Sequence, residues 1–139
     1  MILGRVDEPD WDFSRIVIDH LRLSVSDYAE SRRFYETGLA PLGIPMLGEI
    51  EGSAMLANLN VHRRDPPTRN LHLCFVARSR EEVDAFHAAG VEAGYRSNGE
   101  PGHRPEYGPG YYASFLLDPE GNNVEALYRE GEELGEGYR

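Results

Sequence analysis

Cysteine occurs once in 139 residues, so no disulfide can close within the chain, and a lone thiol fits the cytoplasm, the compartment expected here. No apolar run approaches the roughly 20 residues that a membrane-spanning helix needs. Residues 1–13 hold Arg5, Asp7, Glu8, Asp10 and Asp12 and lack the continuous apolar stretch of a secretory leader. Cations are few beside acids: 14 Lys and Arg stand against 24 Asp and Glu, a formal charge of -10, with a pI near 4.9. Binding to a phosphate backbone relies on clustered cations, so nucleic acid is not an expected partner, and nor is a membrane. The acidic balance serves solubility and is compatible with a cationic small molecule. A P-loop, a G-x-G-x-x-G, an H-E-x-x-H and a C-x-x-C are all missing, which leaves nucleotide-loop and zinc-protease readings without support.

What is present suffices for one domain with its own core, since 40% of the residues are hydrophobic. Sliding the chain against itself by 52 positions aligns His20 with His72, Leu21 with Leu73, Asp27 with Ser79, Glu30 with Glu82, Phe34 with Phe86 and Gly38 with Gly90. The matched residues spell strand, cap, helix and stop, twice. Ile16 to Val25 alternates as a strand, with Val17, Leu21, Leu23 and Val25 on one face and His20, Arg22 and Ser24 on the other. Asp27 then caps a helix, with Glu30 completing the capping pattern, and Gly38 is expected to end it. In the second copy Leu71, Leu73 and Phe75 share the helix-facing side of a strand, while His72, Cys74 and Val76 face away. Ser79 and Glu82 cap the helix that follows, and Gly90 is expected to close it.

Three short strands fit between Gly43 and Arg64, before the break at Asp65-Pro66-Pro67. The predicted fold is α+β, two tandem β-α-β-β-β modules. Their bounds are about 16–64 and 70–128 within a single domain of residues 16–128, flanked by an N-terminal arm (1–15) and a mobile tail (129–139). Ser97 to Gly110, dense in Gly and Pro, reads as a loop able to carry binding contacts. After the Asp118-Pro119 turn, strand alternation places Asn123, Glu125 and Leu127 on one face. Two inward histidines and this carboxylate suit a divalent transition metal and leave coordination positions open.

Ile18-Asp19-His20-Leu21, Arg33-Phe34-Tyr35, Leu71-His72-Leu73 and the run from Asp118 to Glu125 resemble the vicinal oxygen chelate superfamily, which includes glyoxalase I, extradiol dioxygenases and the fosfomycin and bleomycin resistance proteins. The resemblance covers Ile16 to Tyr128. It implies that the modules pair into an open cup-shaped mixed sheet, that His20, His72 and Glu125 hold one divalent metal (Fe, Mn, Ni, Zn or Co), and that the protein is a homodimer. Where glyoxalase I has a metal-binding glutamate on the last strand of its first module, this chain has Leu59-Asn60-Val61-His62-Arg63. His62 is either a fourth ligand or an exposed edge residue.

The function expected is that of a metal-dependent enzyme, an isomerase, lyase, transferase or dioxygenase, whose small substrate chelates the metal through two oxygens. Glu125 serves the chemistry, Tyr111 offers a hydroxyl to a metal-bound oxygen, and Arg104 in the loop offers a fork for an anion. Cys74 shares the inward face with His72 and reads as a small buried hydrophobe. The alternative is a metal-free binding protein of the bleomycin-resistance type.

Overall fold

The computed structural model describes residues 11, 12 and 14–131, and in it the repeat becomes two modules, each a four-stranded mixed sheet carrying one helix. The first comprises β1 (Leu21–Val25), α1 (Tyr28–Leu39), β2 (Met46–Ile50), β3 (Ser53–Leu56) and β4 (Leu59–Arg63). The second comprises β5 (His72–Val76), α2 (Arg80–Glu92), β6 (Arg96–His103), β7 (Tyr111–Leu117) and β8 (Asn123–Arg129). Strand orders are β1-β4-β3-β2 and β5-β8-β7-β6, so the opening strand of each module lies parallel to its closing strand and at a sheet edge. The fold is α+β with two repeated modules, as the sequence predicts.

Both helix starts follow from their caps. Asp27 accepts a hydrogen bond from the Glu30 backbone N–H, and Ser79 from that of Glu82, each at 3.2 Å. Leu23 and Val25 on β1, Phe34 and Tyr35 on α1, Val83 and Phe86 on α2, and Val124 and Ala126 on β8 merge into one core shared by both modules. Residues that alternate with these face away from the helices, which is how His72 and Glu125 come to share a surface.

The repeated glycines do something other than stop their helices. Gly38 and Gly90 lie inside α1 and α2; a Cβ on Gly38 would approach the Phe86 ring to 3.2 Å, and one on Gly90 would collide with Leu116. They let packed elements approach closely. The left-handed turns that end the helical stretches fall later, at Gly43 (φ 74) and Gly94 (φ 98).

Three expected boundaries also move. The first strand begins at Leu21 rather than Ile16, because its partner β4 starts at Leu59, the residue paired with Leu21; Ile16, Val17 and Ile18 are 78%, 67% and 69% exposed. The first half of the expected loop from Ser97 to Gly110 is strand: β6 runs to His103 against β7, with irregular register around Gly99. A short 3-10 turn at Pro105–Tyr107 completes the connection. Arg129, assigned to the tail, ends β8 and pairs with Tyr111. The remaining arm residues 1–10 and 13, and tail residues 132–139, lie outside the described residues.

Candidate functional site

Parallel pairing of β5 with β8 sets His72 beside Asn123 and Cys74 beside Glu125, and antiparallel pairing of β7 sets Phe115 against Glu125. Their side chains face the side of the sheet away from α2. Glu125 is only 2% exposed, yet it lies at an open cavity of about 450 Å³ rather than in the core. One carboxylate oxygen lies 2.9 Å from His72 Nε2, and the other accepts the Tyr111 hydroxyl at 2.5 Å.

A chain of hydrogen bonds orients the imidazole. Asn98 Nδ2 donates to Asn123 Oδ1 at 3.1 Å, so the Asn123 amide nitrogen is left to donate to His72 Nδ1 at 2.7 Å. With Nδ1 accepting, the ring proton sits on Nε2, where it donates to Glu125. Desolvation first, and then the hydrogen bond to Glu125, push the Tyr111 hydroxyl well above its ordinary pKa, so it remains a donor. The Cys74 thiol is also pushed up, chiefly by desolvation and next by the Glu125 charge. Although the outer surface of Cys74 is accessible, such a thiol is a poor nucleophile.

Of the sequence-derived residues, His72, Glu125 and Tyr111 meet. His20 does not join them within one chain: it precedes β1, its Nδ1 lies 2.7 Å from Asp19 Oδ2, and its side chain is 63% exposed. It faces instead a groove lined also by Leu73 and Cys74. Among the described residues, no three His, Cys, Asp or Glu side chains group as a metal site. Arg104 is not at the cavity; its guanidinium donates to the Glu100 carbonyl at 2.6 Å and lies 5.3 Å from the Phe115 ring centre. Lying just past a strand rather than in the long loop expected, it is held against its own backbone.

The first module carries no acid at the place equivalent to Glu125. Arg22 pairs with Asn60 on β1 and β4 as Cys74 pairs with Glu125 on β5 and β8, so Asn60 occupies the place equivalent to Glu125. It is buried and accepts from Arg22 Nε at 2.8 Å while donating to Ser53 Oγ and the Ala54 carbonyl at 3.0 Å. His62 lies two residues further along, opposite Ser24.

The cavity also has a wall that sequence reasoning missed: Tyr107, Phe115 and Arg129. Arg129 lay in plain alternation with Asn123, Glu125 and Leu127, and extending that pattern by two residues would have found it.

A family model for the Glyoxalase/Bleomycin resistance protein/Dioxygenase superfamily matches this chain over residues 17–126. The chain belongs to that superfamily. Among solved structures of the superfamily, a glyoxalase/bleomycin resistance protein from Albidiferax ferrireducens T118 is 33% identical, with a TM-score of 0.68 over 80% of this chain and 98% of the other. A glyoxalase-related enzyme from Fulvimarina pelagi (17% identity, TM-score 0.66, 88% and 95% coverage) and a lactoylglutathione lyase from Agrobacterium tumefaciens (20%, 0.59, 81% and 92%) share the fold. No curated protein matches this superfamily member in sequence.

A nitrogen and an oxygen donor share one face, but Asn123 donates to His72 Nδ1, whereas the outer ring of a metal site accepts from that nitrogen, so the donors fit a metal once the ring proton stands on Nδ1.

Proposed function

We propose that this protein is a divalent-metal-dependent enzyme acting on a small molecule that chelates the ion through two oxygens. His72 and Glu125 of one chain, with His20 of a second copy, hold iron, manganese, nickel, zinc or cobalt. The observation that carries the reading is Glu125, a carboxylate withdrawn from water at the floor of an open cavity with an imidazole 2.9 Å away. Withdrawing a carboxylate from water costs several kcal/mol unless hydrogen bonds or an opposite charge compensate. A site that keeps such a carboxylate beside an opening is suited to a cation.

When bound, such an ion supplies Lewis acidity toward negative charge developing on a substrate oxygen. The chain's own residues then do the positioning. Asn123 fixes the His72 ring, and the Tyr111 hydroxyl offers a proton at Oη from beside Glu125 Oε2. Tyr107 and Phe115 narrow the space left for water. Asn60 cannot accept a proton as a glutamate would, so a reaction that shuttles protons through two metal-bound carboxylates is disfavoured relative to isomerase, lyase, transferase or dioxygenase chemistry that needs one.

Support for a shared site comes from exposure. His20 stands beside exposed Ile16, Val17 and Ile18, next to an edge strand, which favours a homodimer that covers them. One observation favours the rival, a metal-free binding protein: His72 and Glu125 already satisfy each other. Elemental analysis after reconstitution separates the two. The expected result is about one ion per wild-type chain and a marked loss in His72→Ala and Glu125→Gln; equal metal content in all three would leave the binding-protein reading standing.

A further inference from the structure

The repeat leaves its two modules with opposite charge at equivalent places. Arg22 corresponds to Cys74 and, across the parallel pairing, Asn60 stands where the second module has Glu125. The second module therefore brings a carboxylate to its cavity. The first brings a guanidinium to a separate open cavity of about 390 Å³, on the side of β1 facing away from α1. Arg22 Nε donates to Asn60 Oδ1 at 2.8 Å. The Asn60 amide nitrogen donates to Ser53 Oγ and to the Ala54 carbonyl, each at 3.0 Å, so its oxygen stays turned toward Arg22. The guanidinium is thus pinned at one nitrogen by a neutral partner, and among the described residues no carboxylate pairs with it. Asp19, the acid among the lining side chains, has an oxygen 2.7 Å from His20 Nδ1.

We propose that this cavity of the first module binds the carboxylate of a small apolar acid, held end-on by the two terminal nitrogens of Arg22. The site stands on the first module alone and goes beyond the reading of His72 and Glu125 as metal donors. Asn60 is the informative residue. A glutamate at position 60, as at the equivalent 125, would close a salt bridge with Arg22 and cancel the charge that an anion needs. Asparagine keeps the hydrogen bond that orients the fork and leaves the charge in place. Holding one nitrogen in advance also reduces the side-chain freedom lost when a ligand arrives. A protein of formal charge -10 repels anions at long range, so the attraction has to be local, through paired hydrogen bonds at a fixed fork. Leu47, Met55 and Ala57 supply an apolar wall beside Arg22, which suits a short carbon chain rather than a bare inorganic anion.

The test titrates hexanoate and hexanamide, two probes of equal length, into the full-length protein by calorimetry at pH 7, with and without zinc. Wild type should bind hexanoate roughly tenfold to a hundredfold more tightly than the amide, the range for a charged hydrogen bond, and equally well in both conditions. In Arg22→Gln the ratio should fall to about one, with Arg22→Lys between, because a point charge keeps attraction and loses the fork. Arg96→Gln removes the same charge from an exposed place on β6 and should keep the wild-type ratio. Thermal midpoints establish that each variant is folded. Should Arg22→Gln not fold, the Met55 methyl resonance of wild type decides, since hexanoate should move it and hexanamide at equal concentration should not. No binding of hexanoate, no preference over the amide, a preference that survives Arg22→Gln, or one lost equally in Arg96→Gln overturns the inference. Hexanoate bound only in the presence of zinc puts the carboxylate on the ion, which overturns the inference and leaves the metal reading intact.

Discussion

Tyr35, on the helix of the first module, donates its hydroxyl to Asp118 Oδ2 at 2.6 Å across the core, and thereby fixes the turn from which β8 departs. Asp118 also accepts from the Glu120 and Asn122 backbone N–H groups at 2.9 Å and from Asn122 Nδ2 at 3.0 Å. The residue that aims Glu125 is therefore anchored in the other module. Burial, and next the Asp118 charge, raise the Tyr35 pKa well above its ordinary value, so the hydroxyl stays a donor.

Tyr35→Phe leaves a buried carboxylate short of one donor while changing little volume. It should destabilise the fold by about 1–3 kcal/mol. Urea unfolding with an unchanged slope would measure it. A loss under 0.5 kcal/mol would mean that the backbone donors alone satisfy Asp118.

The two repeated glycines should respond differently to alanine. At Gly38 the nearest atom is the Phe86 ring edge at 3.2 Å, and a helix-propensity gain of about 1 kcal/mol offsets the small adjustment, so net change should stay within about 1 kcal/mol. At Gly90 the Cβ overlaps Leu116, which is fully buried, and a net loss of about 1–3 kcal/mol is expected. Equal thermal midpoints for the two variants would contradict the packing role of Gly90.

A shared site makes a prediction about mixtures. His20→Ala and Glu125→Gln homodimers should each lack metal, whereas a heterodimer of the two restores one intact site per dimer, because His20 of the Glu125→Gln chain meets His72 and Glu125 of the other. Co-expression with two affinity tags, followed by metal analysis, tests it. No recovery in the purified heterodimer would place all the ligands in one chain.

Glu130 pairs with Arg80, and that hydrogen bond first, with the charge of Arg80 and His103 beyond it, lowers its pKa from 4.5 to about 2. A depressed folded-state pKa contributes stability above the unfolded value and loses it as pH falls through the folded one. The thermal-midpoint difference between wild type and Glu130→Gln should thus be full at pH 7, shrink below about 4.5 and vanish near 2. A constant difference across that window would remove the charge from the explanation.

The repeat made most of the fold legible, because caps and alternation are local: Asp27, Ser79 and the faces of β5 and β8 need only neighbouring residues to be read. His72 and Glu125 were legible for the same reason, while Tyr111 was offered only for its hydroxyl and reaches Glu125 through the pairing of β7 with β8. What failed depends on distant partners. Where β1 begins is set by where β4 begins, and the glycines of β6 look like a loop until β7 is known to lie beside them. Gly38 and Gly90 looked like helix stops since sequence shows flexibility and not the Phe86 and Leu116 that press against them. His20 was read as part of the first strand, yet β1 starts one residue later, at the partner of Leu59, which leaves His20 beside Asp19 and apart from His72 and Glu125.

The line of amides from Asn98 to His72 has one more consequence. His72 can offer Nε2 to an incoming ion without shedding a proton only if the hydrogen moves to Nδ1, and Nδ1 then needs an acceptor where the Asn123 amide nitrogen now stands. Asn123 supplies one by turning its amide over, which presents a nitrogen to Asn98 and forces that side chain to turn as well. A filled site would thereby be announced by two asparagines that never touch the ion, Asn123 on β8 and Asn98 on β6, and their side-chain amide resonances would become a switch-like record of whether it is occupied.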